Sequence, residues 1–265
     1  MWRSRRIPVA GILAVLLISS LPGIATANSV VTWPCNAANN CHAYITQGKT
    51  NIPGGQPYDS LTKVTSASVY ATATHLCPTS TATSFVNVEI WLVTPPSPSG
   101  PAYHASNWQP EWIEYGITRG ELRGVLYKSP TFFYATNYWS NTQGRYIYSE
   151  YALQNGSLNT RYQLQIRYVT SPNGQWQILR NGAIQVSGIY TQAGPGNNQA
   201  MQIGAEGLTA SDNVAGQVDT PSYTENGVTY NSMNGLVYTD PSVFTSLTQS
   251  STKLTFSTAH NGSGC

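Results

Sequence analysis

Residues 161–187 read RYQLQIRYVTSPNGQWQILRNGAIQVS, and this stretch decides the fold class. Asn181-Gly182 separates two short runs at 175–180 and 183–188, and Asn-Gly between such runs is a strong signal for a hairpin turn. A second turn signal, Pro172-Asn173-Gly174, follows another run at 161–170. The stretch therefore predicts three successive strands joined by tight turns.

The same pattern continues on both sides of this stretch. Runs with β-strand character recur at a spacing of roughly ten residues, with no helical period between them, and this is typical of a β-sandwich or jelly roll. The further strands are predicted at 85–93, 111–118, 123–128, 131–139, 145–153, 200–209, 227–238 and 252–258. We therefore predict an all-β, two-sheet antiparallel jelly-roll sandwich over 81–265. The loop-rich segment 28–80 is expected to belong to the same domain.

The composition supports this fold and excludes several classes of protein. Only 9% of residues are charged, against about 25% in a typical soluble domain. Aromatic residues make up 11%, which argues against disorder. Lys and Arg number 13 against 11 Asp and Glu, so no basic excess exists for a nucleic-acid partner.

The N-terminus has the pattern of an export signal. Residues 1–27 begin with Arg3, Arg5 and Arg6, continue with an apolar run at 12–21, and end with Ala25-Thr26-Ala27. The apolar run is too short for a stop-transfer helix. We expect a secreted, extracellular protein that has no membrane contact after cleavage and is monomeric.

Secretion changes how the cysteines are interpreted. An even number of cysteines in an exported chain favours disulfides over metal binding. The four are Cys35, Cys41, Cys77 and Cys265. Three pairings are open, and we favour Cys35–Cys41 with Cys77–Cys265. No CxxC or HxxxH spacing accompanies them, so no zinc site is expected.

Other common catalytic motifs are missing from the sequence. There is no GxSxG elbow, HExxH motif or phosphate-binding glycine loop, so we predict neither a metal nor a cofactor. The four histidines are scattered and are expected in loops or on the surface. The carboxylates remain, and four of them lie within predicted strands among aromatic or apolar neighbours, where a carboxylate is costly. These four are Glu89, Glu114, Glu150 and Glu206.

Strand alternation gives two of these glutamates suitable neighbours. Glu114 shares a face with Trp112 and Gly116, and Glu206 shares a face with Gln202 and Gly204. Small neighbours leave room for a substrate, and two carboxyls that share one site acquire different pKa values. The alternative is that both glutamates simply face solvent.

Three segments resemble those of the neprosin and eqolisin glutamic peptidases. They are Trp112-Ile113-Glu114-Tyr115-Gly116-Ile117, Thr131-Phe132-Phe133-Tyr134-Ala135 and Ile203-Gly204-Ala205-Glu206-Gly207. The resemblance implies a concanavalin A-like sandwich with a catalytic pair on its concave sheet, Glu114 first and Glu206 second. The third segment departs from the family, because Ala205 stands where a second glycine is usual.

The peptidase interpretation implies a substrate and a cleft. Trp112, Tyr134 and Gln202 would line the cleft, and the substrate would be a polypeptide. One carboxyl must stay protonated, so activity is expected at roughly pH 3–5.

Two alternatives remain open. Val88-Glu89-Ile90-Trp91-Leu92 and the segment around Glu206 also resemble the catalytic segments of a sandwich-fold cellulase family. That resemblance implies a β-glucanase-like glycoside hydrolase with Glu89 as nucleophile and Glu206 as acid, acting on a polysaccharide. The third possibility is a non-catalytic carbohydrate-binding protein, because fold alone does not determine function.

Overall fold

The computed structural model describes residues 30–32, 35, 40–47, 61–79, 84–93, 111–122, 124–171, 174–189, 194–196, 199–233 and 235–258. All sixteen named elements in these ranges are β-strands, arranged in two sheets. Strand pairs are antiparallel throughout, except that β1 and β14 run parallel. The predicted all-β, two-sheet antiparallel sandwich is confirmed.

The strands are numbered in chain order. The first sheet contains, from edge to edge, β1 (Val30–Thr32), β14 (Leu236–Thr239), β2 (Cys41–Gln47), β11 (Ala200–Gly207), β4 (Phe85–Val93), β5 (Trp112–Leu122), β6 (Val125–Ser140) and β7 (Arg145–Asn155). The second contains β10 (Ala183–Ile189), β9 (Gln175–Arg180), β8 (Tyr162–Val169), β3 (Val64–Cys77), β12 (Asn213–Glu225), β16 (Lys253–Ser257) and β15 (Ser246–Ser250). The short strand β13 (Val228–Tyr230) pairs with β12.

The core lies between the two sheets and is built by alternation along each strand. On β4, Val86, Val88, Ile90 and Leu92 point inward and are fully buried. The second sheet contributes inward residues such as Trp176 on β9. Each fully buried aliphatic or aromatic side chain stabilises the fold by about 1.5–3 kcal/mol. Because one face of the first sheet is committed to this core, its polar residues face outward.

The hairpin between β9 and β10 forms where the Asn-Gly signal predicts it. Asn181 and Gly182 both have positive φ, at 49° and 79°. A type I′ turn requires this of both central residues, and its twist matches that of the flanking strands.

One long strand replaces two predicted ones. β6 runs without a break through Val125–Ser140, although a gap was expected between 123–128 and 131–139. Pro130 lies in this gap, and proline cannot donate a backbone hydrogen bond. Here the pairing of β5 with β6 shifts register beside Pro130, between Thr118 and Gly120, and this irregularity accommodates the proline.

No strand was predicted over the segment that forms β12. Its segment Asp219-Thr220-Pro221-Ser222 has the composition of a turn. In the structure the strand continues through a register shift between Asp219 and Ser222, and Thr220 takes a positive φ of 51°. A bulge paired with β3 has the same local chemistry as a turn, so composition could not separate them.

Two further expectations about strands need correction. Residues 28–80 were treated as loop-rich, yet they supply β1, β2 and the fourteen-residue β3 at the middle of the second sheet. Small residues dominate β3, so its sequence carries a weak apolar signal. The strand expected at 227–238 is two separate strands, β13 and β14, which belong to different sheets.

One predicted disulfide is present. Cys35 and Cys41 are bonded, and the backbone N–H of Cys35 donates to Asp240 Oδ2 at 2.7 Å. Cys77 is also disulfide-bonded. Its expected partner Cys265 and the expected signal at 1–27 lie outside the described residues. Within the described ranges, no helix has the length and apolar character needed to cross a membrane.

Candidate functional site

Three glutamates meet on the outer face of the first sheet. One carboxyl oxygen from each of Glu89, Glu114 and Glu206 lies within 4.8 Å of one from each of the others. All three residues are buried, with exposed fractions of 0%, 4% and 3%. We call this group the carboxyl cluster. One water molecule can bridge carboxyls at this separation, since each hydrogen bond spans about 2.6–3.2 Å.

The order of strands places the cluster. Glu206 lies on β11, Glu89 on β4 and Glu114 on β5, and β4 is the middle strand of the three. The register pairs Glu206 with Asn87 and pairs Glu114 with Trp91. Residues directly opposite in an antiparallel pair share a face. The three carboxyls therefore project to one side of the sheet, away from the core.

Two glycines allow the strands to pack closely around Glu89. Gly204 and Gly116 are its partners on the neighbouring strands. A Cβ at Gly116 would lie 2.7 Å from the Cβ of Glu89, and one at Gly204 would lie 1.9 Å from the carbonyl oxygen of Ala43. Any side chain at these positions would displace the strand or the glutamate, so both glycines are needed for the cluster to form.

Glu206 lies among hydrogen-bond donors. Its Oε1 accepts from Asn40 Nδ2 at 2.5 Å and lies 3.1 Å from His42 Nε2. Burial raises the pKa of Glu206, but the hydrogen bonds and charge of His42, with Asn40 and Asn87, outweigh it and hold the pKa below its ordinary value. Glu206 is therefore the ionised member of the cluster.

Glu89 has the opposite environment. The hydroxyl of Tyr44 donates to its Oε1, and its Oε2 is buried without a hydrogen-bond partner. Burial, followed by the charge of Glu114, raises the pKa of Glu89 well above its ordinary value. Burial likewise raises the pKa of Tyr44, so its proton stays in place. Glu89 is therefore neutral under ordinary conditions.

Glu114 is also protonated over a wide pH range. Burial raises its pKa to about 8, and the negative charge of Glu206 acts in the same direction. Asn87 Nδ2 lies 3.3 Å from Glu114 Oε1 and links it to the β4 strand. One face of one sheet thus holds an ionised carboxylate beside a carboxylic acid.

A divalent cation is the other species that three carboxylates could hold. Carboxylate oxygens are preferred ligands of Ca²⁺ and Mg²⁺, and the cluster offers one from each glutamate. The raised pKa values of Glu89 and Glu114 leave a single negative charge at neutral or acidic pH. A cation would therefore have to displace protons to bind there.

The structure places the predicted cleft residues on different sides of the sheet. Trp112 and Gln202 lie on the same face as the carboxyl cluster, and Gln202 Nε2 is 3.5 Å from Thr46 Oγ1. Tyr134 does not. It pairs with the buried core residue Tyr115 and packs against the core, so its expected place in the cleft is wrong. The aromatic run at 132–134 hid the strand's alternation.

Several polar neighbours of the cluster were missed. Asn40, His42, Tyr44 and Asn87 all contact it, although the histidines were expected in loops or on the surface. A signal was available, because in Cys41–Gln47 polar His42, Tyr44 and Thr46 alternate with apolar Ala43 and Ile45. Such alternation predicts a strand with one polar face.

Comparisons with known proteins give neighbours among solved structures only. No family model matches the chain, and no curated protein matches it. Scytalido-glutamic peptidase with a peptide-based transition state analogue is 12% identical, with a TM-score of 0.45, covering 82% of this chain and 100% of that one. SCP-B, a member of the eqolisin family of peptidases in complex with the tripeptide Ala-Ile-His, is 12% identical, with a TM-score of 0.39. The match covers 82% of this chain and 100% of that one.

A different enzyme class lies among the neighbours as well. An endo-β-1,4-glucuronan lyase from the fungus Trichoderma reesei is 14% identical, with a TM-score of 0.34, covering 62% of this chain and 69% of that one. At these identities the likeness concerns the sandwich fold, so any activity must be argued from the carboxyl cluster itself.

Proposed function

We propose that this protein is a glutamic peptidase-like hydrolase that uses Glu206 and Glu114 to cleave peptide bonds. The proposal rests on one observation: Glu206 and Glu114 have opposite environments although their carboxyl oxygens lie within 4.8 Å of each other on one sheet face. Hydrogen-bond donors keep Glu206 ionised, while burial keeps Glu114 protonated. Two identical side chains with separated pKa values are the arrangement that acid–base catalysis needs.

The reaction follows from these protonation states. The Glu206 carboxylate takes a proton from a water molecule, whose oxygen attacks the carbonyl carbon of the scissile peptide bond. The Glu114 carboxyl donates a hydrogen bond to the oxyanion that forms. The C–N bond then breaks as the proton of Glu114 passes to the leaving amine. A proton returns from Glu206 to Glu114 through water and restores the starting state.

Glu89 has a supporting place in this scheme. Its strand, β4, lies between the strands of Glu206 and Glu114. The hydroxyl of Tyr44 donates a hydrogen bond to the neutral Glu89 carboxyl. It is fully buried, whereas Glu114 retains a 4% exposed fraction. A second ionised carboxylate there would destabilise Glu206, since like charges at such distances repel. Glu89 thus fills the middle of the cluster without adding charge.

The test is digestion of a denatured protein by the purified protein and by its Glu206→Gln variant. We expect cleavage by the former and a loss of about 10²–10⁴-fold in rate in the latter, the usual contribution of a general base. Unfolding curves would show that the variant is folded. Failure of the purified protein to cut any peptide bond between pH 3 and pH 8 would falsify the proposal.

A glycoside hydrolase with Glu89 and Glu206 is the second candidate. Its support is that these two carboxyls also lie within 4.8 Å of each other, close to the roughly 5–5.5 Å of retaining enzymes. Against it, Glu89 is fully buried and hydrogen-bonded to Tyr44, so it is poorly placed to attack an anomeric carbon. Release of reducing sugar from β-glucan that disappears in Glu89→Gln but persists in Glu114→Gln would favour this candidate.

A non-catalytic carbohydrate-binding protein is the third possibility. It predicts glycan binding that survives replacement of all three glutamates by glutamine. Burying three carboxyls destabilises the fold, and glycan binding that does not use them would not require this. The buried carboxyls therefore favour the hydrolase.

A further inference from the structure

Four aromatic side chains form a strip across the outer face of the first sheet. Tyr44 and Trp91 have ring centroids 6.1 Å apart, and Trp91 stacks on Trp112 at 5.0 Å with the ring planes 6° apart. Trp112 contacts Tyr148 at 5.7 Å with the planes tilted by 57°. We call these residues the aromatic strip. It spans the sheet from β2 to the edge strand β7.

The strip runs directly past the carboxyl cluster. Trp91 is the register partner of Glu114, and Trp112 lies two residues before Glu114 on the same face. From β5 to β7 is two strand spacings, or about 10 Å. An extended peptide covers that distance in about three residues. A substrate whose scissile bond lies at the cluster could therefore place a nearby side chain on the strip.

Exposure increases along the strip. Tyr44 is only 3% exposed, while Tyr148 at the far end is 54% exposed. The inner rings are fixed by packing, and the outer ring offers apolar surface to solvent. Exposed aromatic surface beside well-packed aromatic rings can bind a large apolar side chain.

The charge around the strip is negative. Glu150 lies on the same face of β7 as Tyr148, two residues further along the strand. An acidic side chain of a substrate would be repelled at this position.

The packing of the strip favours a peptide over a sugar. Stacking against a pyranose needs an open aromatic ring face. Trp91 and Trp112 stack on each other and each has a second aromatic neighbour within 6.1 Å, so one face of each ring is already covered and closed to a pyranose. Phe, Tyr or Leu side chains can pack against edges as well as faces.

We propose that the aromatic strip is a specificity subsite that takes a large apolar or aromatic side chain of a polypeptide, within about three residues of the cleaved bond, and rejects Asp and Glu there. This inference rests on the proposed peptidase function.

The first test is a binding experiment that does not need catalysis. The Glu206→Gln variant is titrated with two peptides that differ only in having Phe or Ala at one position, with tryptophan fluorescence as the readout. We expect the Phe peptide to bind about tenfold more tightly, and Tyr148→Ser in the same background to reduce that difference to about twofold or less. Tyr230→Ser is the matched control, since Tyr230 is 42% exposed but lies on β13 of the second sheet. Equal binding of the two peptides overturns the subsite.

The second test separates the subsite from the proposed function. Purified protein digests a mixed peptide library, and the cleavage sites are mapped by mass spectrometry. Enrichment of Phe, Tyr, Trp and Leu at one position within three residues of the cut, with depletion of Asp and Glu, supports the subsite. Cleavage without such a preference overturns the subsite and leaves the peptidase standing. No cleavage, combined with binding of β-glucan that Tyr148→Ser abolishes, overturns both.

Discussion

The outer faces of the two sheets carry their carboxylates in opposite ways. On the second sheet, Asp219 of β12 accepts from Arg161 Nη2 at 2.5 Å, and the Arg161 side chain is 47% exposed. Burial raises the pKa of Asp219, but the hydrogen bonds of Arg161 and Thr220 and the charge of Arg161 together bring it below its ordinary value. On the first sheet, the ion pairs of the described residues include no Lys or Arg at the carboxyl cluster.

The difference distinguishes two roles for a carboxylate on a β-sheet. A carboxylate that is paired with a half-exposed cation costs little and needs no further explanation. Three buried carboxyls whose described ion pairs include His42 but no Lys or Arg destabilise the fold, and protonation and hydrogen bonding make them tolerable. Such a cost is usual at functional sites, where pKa values are shifted for chemistry.

Replacing Glu114 or Asp219 by its amide should separate the two roles most clearly. We expect Glu114→Gln to lower kcat for peptide cleavage by about 10²–10⁴-fold, because the acid that protonates the leaving amine is lost. Asp219→Asn should leave kcat within about twofold. Initial rates on one fluorogenic peptide measure both variants, and a similar loss in the two would mean that neither sheet face carries the chemistry.

The pH dependence of wild-type activity tests the difference inside the cluster. The Glu206 carboxylate is needed, so activity should fall as pH decreases through its lowered pKa. The Glu114 acid is also needed, so activity should fall again as pH increases through about 8. The active range thus extends beyond the roughly pH 3–5 expected from ordinary carboxyl pKa values. A profile of kcat/KM measured from pH 2 to pH 10 checks this, and an alkaline limb near pH 5 would contradict it.

Ionisation of Glu114 at increasing pH should lower the stability of the fold as well as the activity. A carboxyl whose folded-state pKa is raised stabilises the fold below its unfolded pKa and loses that contribution as pH increases towards the folded value. The wild-type free energy of unfolding should therefore fall between about pH 5 and pH 8. In Glu114→Gln this fall should be smaller by on the order of a few kcal/mol, since each pKa unit corresponds to about 1.4 kcal/mol. Urea unfolding at pH 5 and pH 8 measures it, and identical pH dependence in the two proteins would refute the assignment.

Removing the donor to Glu89 should have a smaller effect. Tyr44→Phe leaves a buried carboxyl oxygen without its partner, which costs about 1–3 kcal/mol of stability. Tyr230→Phe, on an exposed tyrosine of β13, is the control and should change stability by less than about 0.5 kcal/mol. Urea midpoints of the two variants give the comparison. Equal midpoints would show that the Tyr44 hydroxyl contributes no stability.

The smallest effect is expected at the ion pair of the second sheet. Breaking it with Asp219→Asn should cost no more than about 1 kcal/mol, because Arg161 is half exposed and solvent screens the pair. The loss should shrink further in 1 M salt. If thermal unfolding showed that Asp219→Asn lowers the free energy of unfolding by several kcal/mol, the energetic difference between this exposed ion pair and the buried cluster would be refuted.

Much of the fold could be predicted from the sequence. The Asn181-Gly182 hairpin is correct because its turn type needs two positive φ values, a purely local requirement. The strand Phe85–Val93 is correct because its buried residues alternate without a break. The errors at β6 and β12 share a cause, since Pro130 and the 219–222 segment lie at register shifts inside continuous strands. A bulge is stabilised by the neighbouring strand, which the local sequence does not contain.

The candidate site was predicted only in part. Glu114 and Glu206 could be singled out because so few carboxylates exist and because each has glycine on its own face. Glu89 was proposed only for a rival activity, and His42 was assigned to a loop or the surface. Glu89 belongs to the cluster and His42 contacts it because β4 and β2 flank β11, and strand order of this kind is set by pairings distant in the chain.

By itself, the sequence determined the class of fold, the hairpin chemistry and the choice of glutamates to inspect, because alternation and turn preferences act over a few residues. Only the tertiary structure decided that three carboxyls share one site, that Tyr134 faces the core, and that Glu206 alone is ionised. Those outcomes depend on which strands are neighbours and on how much water each carboxyl loses. Desolvation and charge–charge interaction act through space between residues as far apart in sequence as Tyr44, Glu114 and Glu206, and no local pattern records them.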